Sequence, residues 1–208
     1  MRYRLAIFDF DGTLADSLPW FIGAMNDVAD RYRFRRVLEE EIETMRGWEA
    51  RRIVEHLGVP MWRMPVIVRH MRERMASEVG RIPLFSGVER MLEELEGRGV
   101  AIAIVTSNSE ANVRGILGAA NVARVRHFGC GASMFGKRPK MRKVLRESGV
   151  PAAQAIAIGD EIRDADAARA EGIPFGAVSW GYTSRDALAA HHPAEIFDRV
   201  EEIVERLG

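Results

Sequence analysis

Five short apolar runs, rich in Ile, Val, Ala and Phe, punctuate the chain at residues 3–8, 100–105, 125–130, 155–158 and 175–178. Runs of this length, bounded by Gly, Asp or Thr, suit strands buried on both faces of a parallel sheet. Between them, apolar positions recur at helical spacing. Over residues 88–96, Val88, Met91, Leu92 and Leu95 fall on one face, and residues 111–117, 140–147 and 164–171 repeat the theme. Gly118, Gly149 and Gly172 stand where helices commonly end. Strand alternating with helix predicts an α/β fold, a doubly wound parallel sheet covered by helices on both faces.

Residues 17–81 break that alternation. Their pattern is helical only, over 19–32, 38–45, 49–57 and 62–79, with Pro60 and Pro65 as punctuation. The sheet pattern resumes after Ile82-Pro83-Leu84-Phe85. The expected organisation is therefore a Rossmann-like core of residues 1–16 and 82–208, with a small all-helical domain of residues 17–81 inserted after the first strand. The sequence shows no internal repeat and no low-complexity stretch.

Composition narrows the class of protein. The chain has 208 residues, 47% hydrophobic and 29% charged, which is ordinary for a globular domain able to bury a core without staples. Its single cysteine, Cys130, excludes an internal disulfide. The opening MRYRLAIFDFDGTL lacks a signal-peptide core, and no apolar stretch approaches the roughly 18 residues of a membrane span, so a cytoplasmic protein with no membrane partner is expected. The formal net charge is zero, which argues against a nucleic-acid partner. Arginines are dense between Arg31 and Arg74, as a solvated helix surface or as one or two contacts to an anionic substrate.

Ligands of a parallel sheet bind at the carboxyl ends of its strands. After the first strand stand Asp9, Asp11 and Thr13; after the second, Thr106, Ser107 and Asn108; after the fourth, Asp160, Glu161 and Asp164. A lone aspartate at such a place more often shapes a turn or caps a helix. Thr106 and Asp164 each have that alternative, as caps of the helices that follow. The concentration of acids is what calls for a cation. Asp9 and Asp11, two residues apart, are placed to point to one side, and their charges repel unless something positive lies between. Magnesium, a hard ion taking carboxylate, water and phosphate oxygens, is the expected cofactor. Calcium is second, without an EF-hand spacing; zinc is disfavoured, because five histidines and one cysteine form no ligand pair. His191 and His192 read as a polar surface tail.

Asp9-Phe10-Asp11-Gly12-Thr13-Leu14 resembles the first signature of the haloacid dehalogenase superfamily. Thr106-Ser107-Asn108 resembles the second, Lys137 the third and Gly159-Asp160-Glu161-Ile162-Arg163-Asp164 the fourth. Order and strand-end placement match over the whole chain. The insert is similar to the cap of the subfamily that includes phosphoglycolate phosphatases and β-phosphoglucomutase. Family members often show lysine then proline at the third signature, whereas this chain has Gly136-Lys137-Arg138-Pro139-Lys140, so Lys137 and Lys140 compete for the role.

The resemblance implies a phosphatase. Asp9 attacks phosphorus to give an aspartyl-phosphate, and Asp11 protonates the leaving oxygen, then deprotonates water. Thr106, Ser107 and Asn108 hold the phosphoryl group, and Lys137 offsets charge. Asp9, the carbonyl of Asp11, Asp160 and the phosphate surround magnesium, with Asp164 orienting water there or Lys137. Capped members close over small metabolites, so the expected partner is a small phosphorylated metabolite; phosphoglycolate leads by resemblance alone. Cap residues Arg46, Gly47, Trp48 and Arg51 sit at a helix junction facing the site, with Arg51 the candidate phosphate contact and core packing the plainer reading of Trp48. Dehalogenases lack the second aspartate, which Asp11 supplies. A mutase of the β-phosphoglucomutase type shares the same core, and a noncatalytic binding member would have lost the nucleophile or a metal ligand. Monomer and homodimer both remain open.

Overall fold

The computed structural model describes residues 2–131 and 136–207. The chain enters through β1 (Leu5–Phe8) and leaves the sheet for α1 (Leu18–Tyr32), α2 (Ile42–Met45), α3 (Ala50–His56) and α4 (Met64–Ser77). It returns through α5 (Val88–Gly97), β2 (Ala101–Val105), α6 (Glu110–Arg124), β3 (Val125–Gly129), α7 (Lys137–Ser148), β4 (Ala155–Gly159), α8 (Ile162–Ala170) and β5 (Phe175–Val178). It ends on α9 (Arg185–Ala189), β6 (Glu195–Phe197) and α10 (Glu201–Leu207).

All strand pairs are parallel, in the order β3-β2-β1-β4-β5-β6. Leu5 of β1 lies beside Ala101 of β2 on one side and Ala155 of β4 on the other. The chain winds outward from β1 in one direction, then starts again at β4 in the other. The crevice between the ends of β1 and β4 is thus the switch point at which such sheets bind ligands.

Side chains alternate across the sheet, so β1 feeds two cores. Ala6 and Phe8, with Ile102, Ile104, Ile156 and Ile158, pack against Met91, Leu92 and Leu95 of α5, Val113 and Leu117 of α6, and Ile203 and Val204 of α10. Leu5 and Ile7, with Ala103, Val105, Ala155 and Ala157, face Met141 and Val144 of α7 and Ala165 and Ala168 of α8. The helices between residues 17 and 81 gather a third cluster of their own, including Ala24, Val28, Met45, Leu57, Ile67 and Met71. The two segments leading into and out of those helices run side by side. Asp16 N–H donates to the Pro83 carbonyl at 2.9 Å and Phe85 N–H to the Leu14 carbonyl at 2.9 Å.

The differences from the pattern reading have local causes. α7 starts at Lys137 rather than Lys140, because Pro139 tolerates the first helical turn and does not block it. A helical stretch ends at Gly118 as expected, at φ 73° and ψ 161°, but a second follows at once, so that α6 is two stretches joined at that glycine. The segment containing His191 and His192 is not a tail: it leads from α9 into β6, a three-residue edge strand too short to show a period.

α7 and α8 carry residues of the site, and one exposed latch ties them together. Arg138 and Arg142, on adjacent turns of α7, donate to Glu171 at 2.6 and 2.8 Å, just beyond the end of α8. The two guanidiniums hold the Glu171 carboxyl down to about 2 from its ordinary 4.5. A carboxyl lowered in the folded state stabilises fully above its unfolded pKa, and the contribution fades as pH falls through the folded one. Replacing Glu171 with Gln should lower the melting temperature at pH 7 by about 2–4 °C, the scale of a good surface ion-pair network in a chain of this length. In melting curves of the two proteins, that gap should narrow as pH falls from 4.5 toward 2.

Candidate active site

Phe8 ends β1 in the core, and Asp9 follows it into the crevice, its N–H still donating to the Ile158 carbonyl of β4 at 2.8 Å. The chain then turns sharply. Gly12 adopts φ 76°, a left-handed conformation that glycine takes without penalty. A Cβ there would lie 2.3 Å from the Asp160 carboxylate and 2.4 Å from the Tyr182 ring, so the turn is also filled from above. Thr13, 1% exposed, donates its hydroxyl to Asp160 at 2.7 Å, and Tyr182 N–H donates to the other Asp160 oxygen at 2.7 Å.

Asp9, Asp160 and Asp164 meet here, all buried, each with a carboxylate oxygen within 4.8 Å of the others. Lys137 is the counter-charge. Its ammonium lies 2.6 Å from Asp9 Oδ2 and also donates to Asp164. When all three carboxylates are ionised, one ammonium is fewer than the acids need, and the nearby Arg163 is paired with an acid of its own, Glu161. Burial pushes the carboxyls of Asp160 and Asp164 upward, the second up to about 7, and Lys137 works against that rise at Asp164. Burial also disfavours the Lys137 charge, but Asp164 and Asp9 outweigh it and hold the ammonium above its ordinary value. Asp9 Oδ1 is buried without a hydrogen-bond partner among the described residues. A carboxylate oxygen left bare beside two further carboxylates is unfavourable in protein alone and fits a hard divalent cation. The residues present therefore suit magnesium.

Asp11 does not join that cluster. Its carboxylate accepts two hydrogen bonds from the Asn108 amide, at 3.0 and 3.3 Å. Burial and the charge of Asp9 raise its carboxyl to about 6, against the pull of Ser17, Asn108 and Lys137. The expected shared direction of Asp9 and Asp11 thus gives way to two environments. Asp9 is tied to Lys137 and faces the acids; Asp11 is tied to a neutral amide.

Thr106 is buried beside them, but it does not cap α6; Ser109 does, accepting from Asn112 N–H at 3.2 Å. The Thr106 hydroxyl instead accepts from Asn108 N–H at 3.1 Å. The Asn108 side chain is committed to Asp11, Met75 and Asn112, and the Ser107 carbonyl accepts from Arg72 at 2.7 Å. Asp164 fills both of its expected roles, closing a capping box with Glu161 and pairing with Lys137. Lys140 is only half-buried, one turn along α7 from Lys137. Arg51 is not brought to the cluster: it lies on α3, 78% exposed, and pairs with Glu55. Trp48 packs edge-on against His56 beneath Arg52. Arg46 reaches the core, donating to the Gly181 carbonyl at 2.9 Å.

The loop after β5 is what the sequence reading passed over. Gly181 packs its backbone onto Asp160, where a Cβ would lie 2.2 Å from the Asp160 Cβ. The Trp180 indole donates to the Thr13 carbonyl at 3.2 Å. Its signal was available: Trp180-Gly181-Tyr182-Thr183-Ser184 is a polar, glycine-bearing stretch at a strand end, like the three stretches singled out.

Comparison with known proteins agrees with this geometry. The sequence profile of the haloacid dehalogenase-like hydrolases matches residues 6–178. The chain belongs to that family. Among its relatives, the phosphoglycolate phosphatase of Synechococcus elongatus is 29% identical over 96% of this chain and 94% of its own. That of Mesorhizobium japonicum is 27% identical over the full length of both. A candidate phosphoglycolate phosphatase from Lactobacillus plantarum superposes with a TM-score of 0.84 at 23% identity, over 99% of each chain. In this hydrolase of the haloacid dehalogenase-like family, no helix among the described residues is long and apolar enough to cross a membrane.

Close backbone approach to Asp160 gives a stability test with an internal control. Gly181→Ala drives a methyl into Asp160, an overpacking that should cost about 1–3 kcal/mol. Gly23→Ala, within α1 and with open space around it, should instead stabilise by up to about 1 kcal/mol. Urea unfolding midpoints of the two variants should move in opposite directions.

Proposed function

We propose that this phosphatase hydrolyses a small phosphorylated metabolite through an aspartyl-phosphate on Asp9, with magnesium held at the carboxylate cluster, and that phosphoglycolate is its substrate. The observation that carries the reading is the pair of environments at Asp9. One carboxylate oxygen is anchored on Lys137, and the other is buried with no hydrogen-bond partner among the described residues. The relatives named as phosphoglycolate phosphatases support the substrate.

Asp9, Asp160 and Asp164 are the side chains that would hold magnesium, Asp164 directly or through water, with the Asp11 carbonyl as a further oxygen. When bound, the ion would neutralise the excess charge and polarise the phosphoryl oxygens. The protein's own residues account for the other steps. Asp9 attacks phosphorus, the ester P–O bond breaks, and Asp11 gives its proton to the leaving oxygen, releasing the alcohol. Water then attacks the aspartyl-phosphate and loses a proton to Asp11. The bond from phosphorus to Asp9 breaks, and inorganic phosphate leaves with both carboxyls restored. A carboxyl near pKa 6 suits this exchange, since it gives and regains a proton near neutral pH. Lys137 holds Asp9 oriented throughout. On the loop preceding α6, the Thr106 and Asn108 amides donate within the fold, to Gly129 and to the Thr106 hydroxyl, which leaves the Ser107 N–H as the amide donor for a phosphoryl oxygen.

Incubated with phosphoglycolate and magnesium, the protein should release glycolate and inorganic phosphate in equal amounts. Asp9→Asn, almost unchanged in shape, should lose at least about 10³-fold in turnover while remaining folded by circular dichroism. A variant with more than a few per cent of wild-type rate would remove Asp9 as nucleophile. Release of glycolate at no more than background rate, alongside brisk hydrolysis of other metabolites, would remove phosphoglycolate alone.

A further inference from the structure

α4 belongs to two cores at once. Ile67 and Met71 lie in the cluster of the inserted helices, whereas Met75, one turn further on, lies in the core of the sheet. Between Met71 and Met75 stands Arg72, half-buried. Its guanidinium donates to the Ser107 carbonyl at 2.7 Å. Its own carbonyl accepts in return from the Asn112 amide, on the first turn of α6, at 3.3 Å. Met75 adds a contact to the same loop, its sulfur accepting from the Asn108 amide at 3.0 Å. The loop between β2 and α6 is thus gripped by a cation of the inserted helices, 35 residues distant in sequence.

The peptide that Arg72 holds also sets a side chain. The Ser107 carbonyl and the Asn108 N–H belong to one planar unit, so fixing the first orients the second. That N–H donates to the Thr106 hydroxyl at 3.1 Å. A guanidinium on the carbonyl polarises the unit and strengthens its N–H as a donor. A hydroxyl has one proton and two lone pairs. Asn108 occupies a lone pair of Thr106, and among the described residues no acceptor takes the proton. Thr106 is buried at 1% exposure, so its hydroxyl is held with the proton left to give.

We propose that Arg72 is a positioning residue for phosphoryl binding: through the Ser107–Asn108 peptide it sets the Thr106 hydroxyl to donate to a phosphoryl oxygen. Without the guanidinium, the Ser107 carbonyl is free to turn, the Asn108 N–H turns with it, and the Thr106 proton loses its fixed direction. The part of the substrate that feels this is the phosphoryl group, whatever is esterified to it. Asp9, Asp160 and Asp164 keep their own partners, Lys137, Thr13 and the Tyr182 N–H among them, so the carboxylate cluster is spared. This inference rests on the reading of Thr106 as a phosphoryl contact.

The test uses the full chain with magnesium and three probes that share a phosphoryl group: inorganic phosphate, titrated by calorimetry, and phosphoglycolate and 4-nitrophenyl phosphate, assayed as substrates. Arg72→Met keeps the length of the side chain and loses the donor. It should weaken inorganic phosphate about tenfold and lower kcat/KM by about the same factor for both substrates. Its magnesium-induced rise in melting temperature should match the wild type. Arg72→Lys, which retains a charged donor, should lie within about threefold of the wild type for every probe. In a Thr106→Val background, Arg72→Met should weaken inorganic phosphate by no more than about twofold further, because the group it positions is gone. Arg72→Gln, too short to reach the carbonyl, carries the same expectations if Arg72→Met does not fold. Wild-type constants for all three probes overturn the role of Arg72, as does full additivity with Thr106→Val. A loss confined to phosphoglycolate also overturns it, and places Arg72 on the remainder of the substrate. If Thr106→Val itself leaves the affinity for inorganic phosphate unchanged, the reading of Thr106 falls, and this inference with it, while Asp9 as nucleophile stands on its own variant.

Discussion

Three buried carboxylates facing one buried ammonium is the constraint around which this fold is arranged. Removing such charges from water is costly, and one lysine cannot offset three acids. The cost is met locally. Thr13 and the Tyr182 amide satisfy Asp160, Lys137 satisfies one oxygen each of Asp9 and Asp164, and the Glu161 amide takes the other Asp164 oxygen at 3.3 Å. What is left over among the described residues is one buried Asp9 oxygen without a hydrogen bond.

The topology follows from bringing those groups together. Asp9 and Asp160 are neighbours because β1 and β4 are paired at the switch point of the sheet. Lys137 and Asp164 arrive on the first turns of α7 and α8, helices that share the small-residue face of the core. Glycines stand where backbone must approach a carboxylate: Gly159 leaves 2.6 Å between a would-be Cβ and Asp164, as Gly181 does for Asp160. The inserted helices meet this scheme through Arg46 on the β5 loop, Phe21 on Tyr182, Arg72 on the Ser107 carbonyl and Met75 on Asn108, among other contacts.

Much of this was legible in the sequence, for physical reasons. Buried parallel strands must be short and apolar, which is why five of them stood out; β6, three residues at a solvent-facing edge, carries no such mark. Acids repeated at strand ends identified Asp9, Asp160 and Asp164 because nothing structural requires them together. The choice between Lys137 and Lys140 was not legible, since both lie within one helical turn and only burial separates them, Lys137 at 3% exposure. Asn108 read as a phosphate contact by position, whereas its side chain is spent on Asp11, a partner 97 residues distant in sequence. Arg51 read as an anion contact by charge, but helical spacing gives it Glu55 one turn on. Long-range pairings of this kind are set by tertiary packing, which no local pattern encodes.

The central claim is that the carboxylate cluster is incomplete without a divalent cation. Thermal unfolding in chelator and in increasing magnesium tests it without substrate. An ion bound only by the folded state raises the melting temperature in step with its free concentration. The account predicts such a rise for the wild type, and for Asp160→Asn a flat response from a protein already more stable in chelator, because one of the crowded charges is gone. A wild-type melting temperature indifferent to magnesium, or an Asp160→Asn response equal to it, would contradict the account.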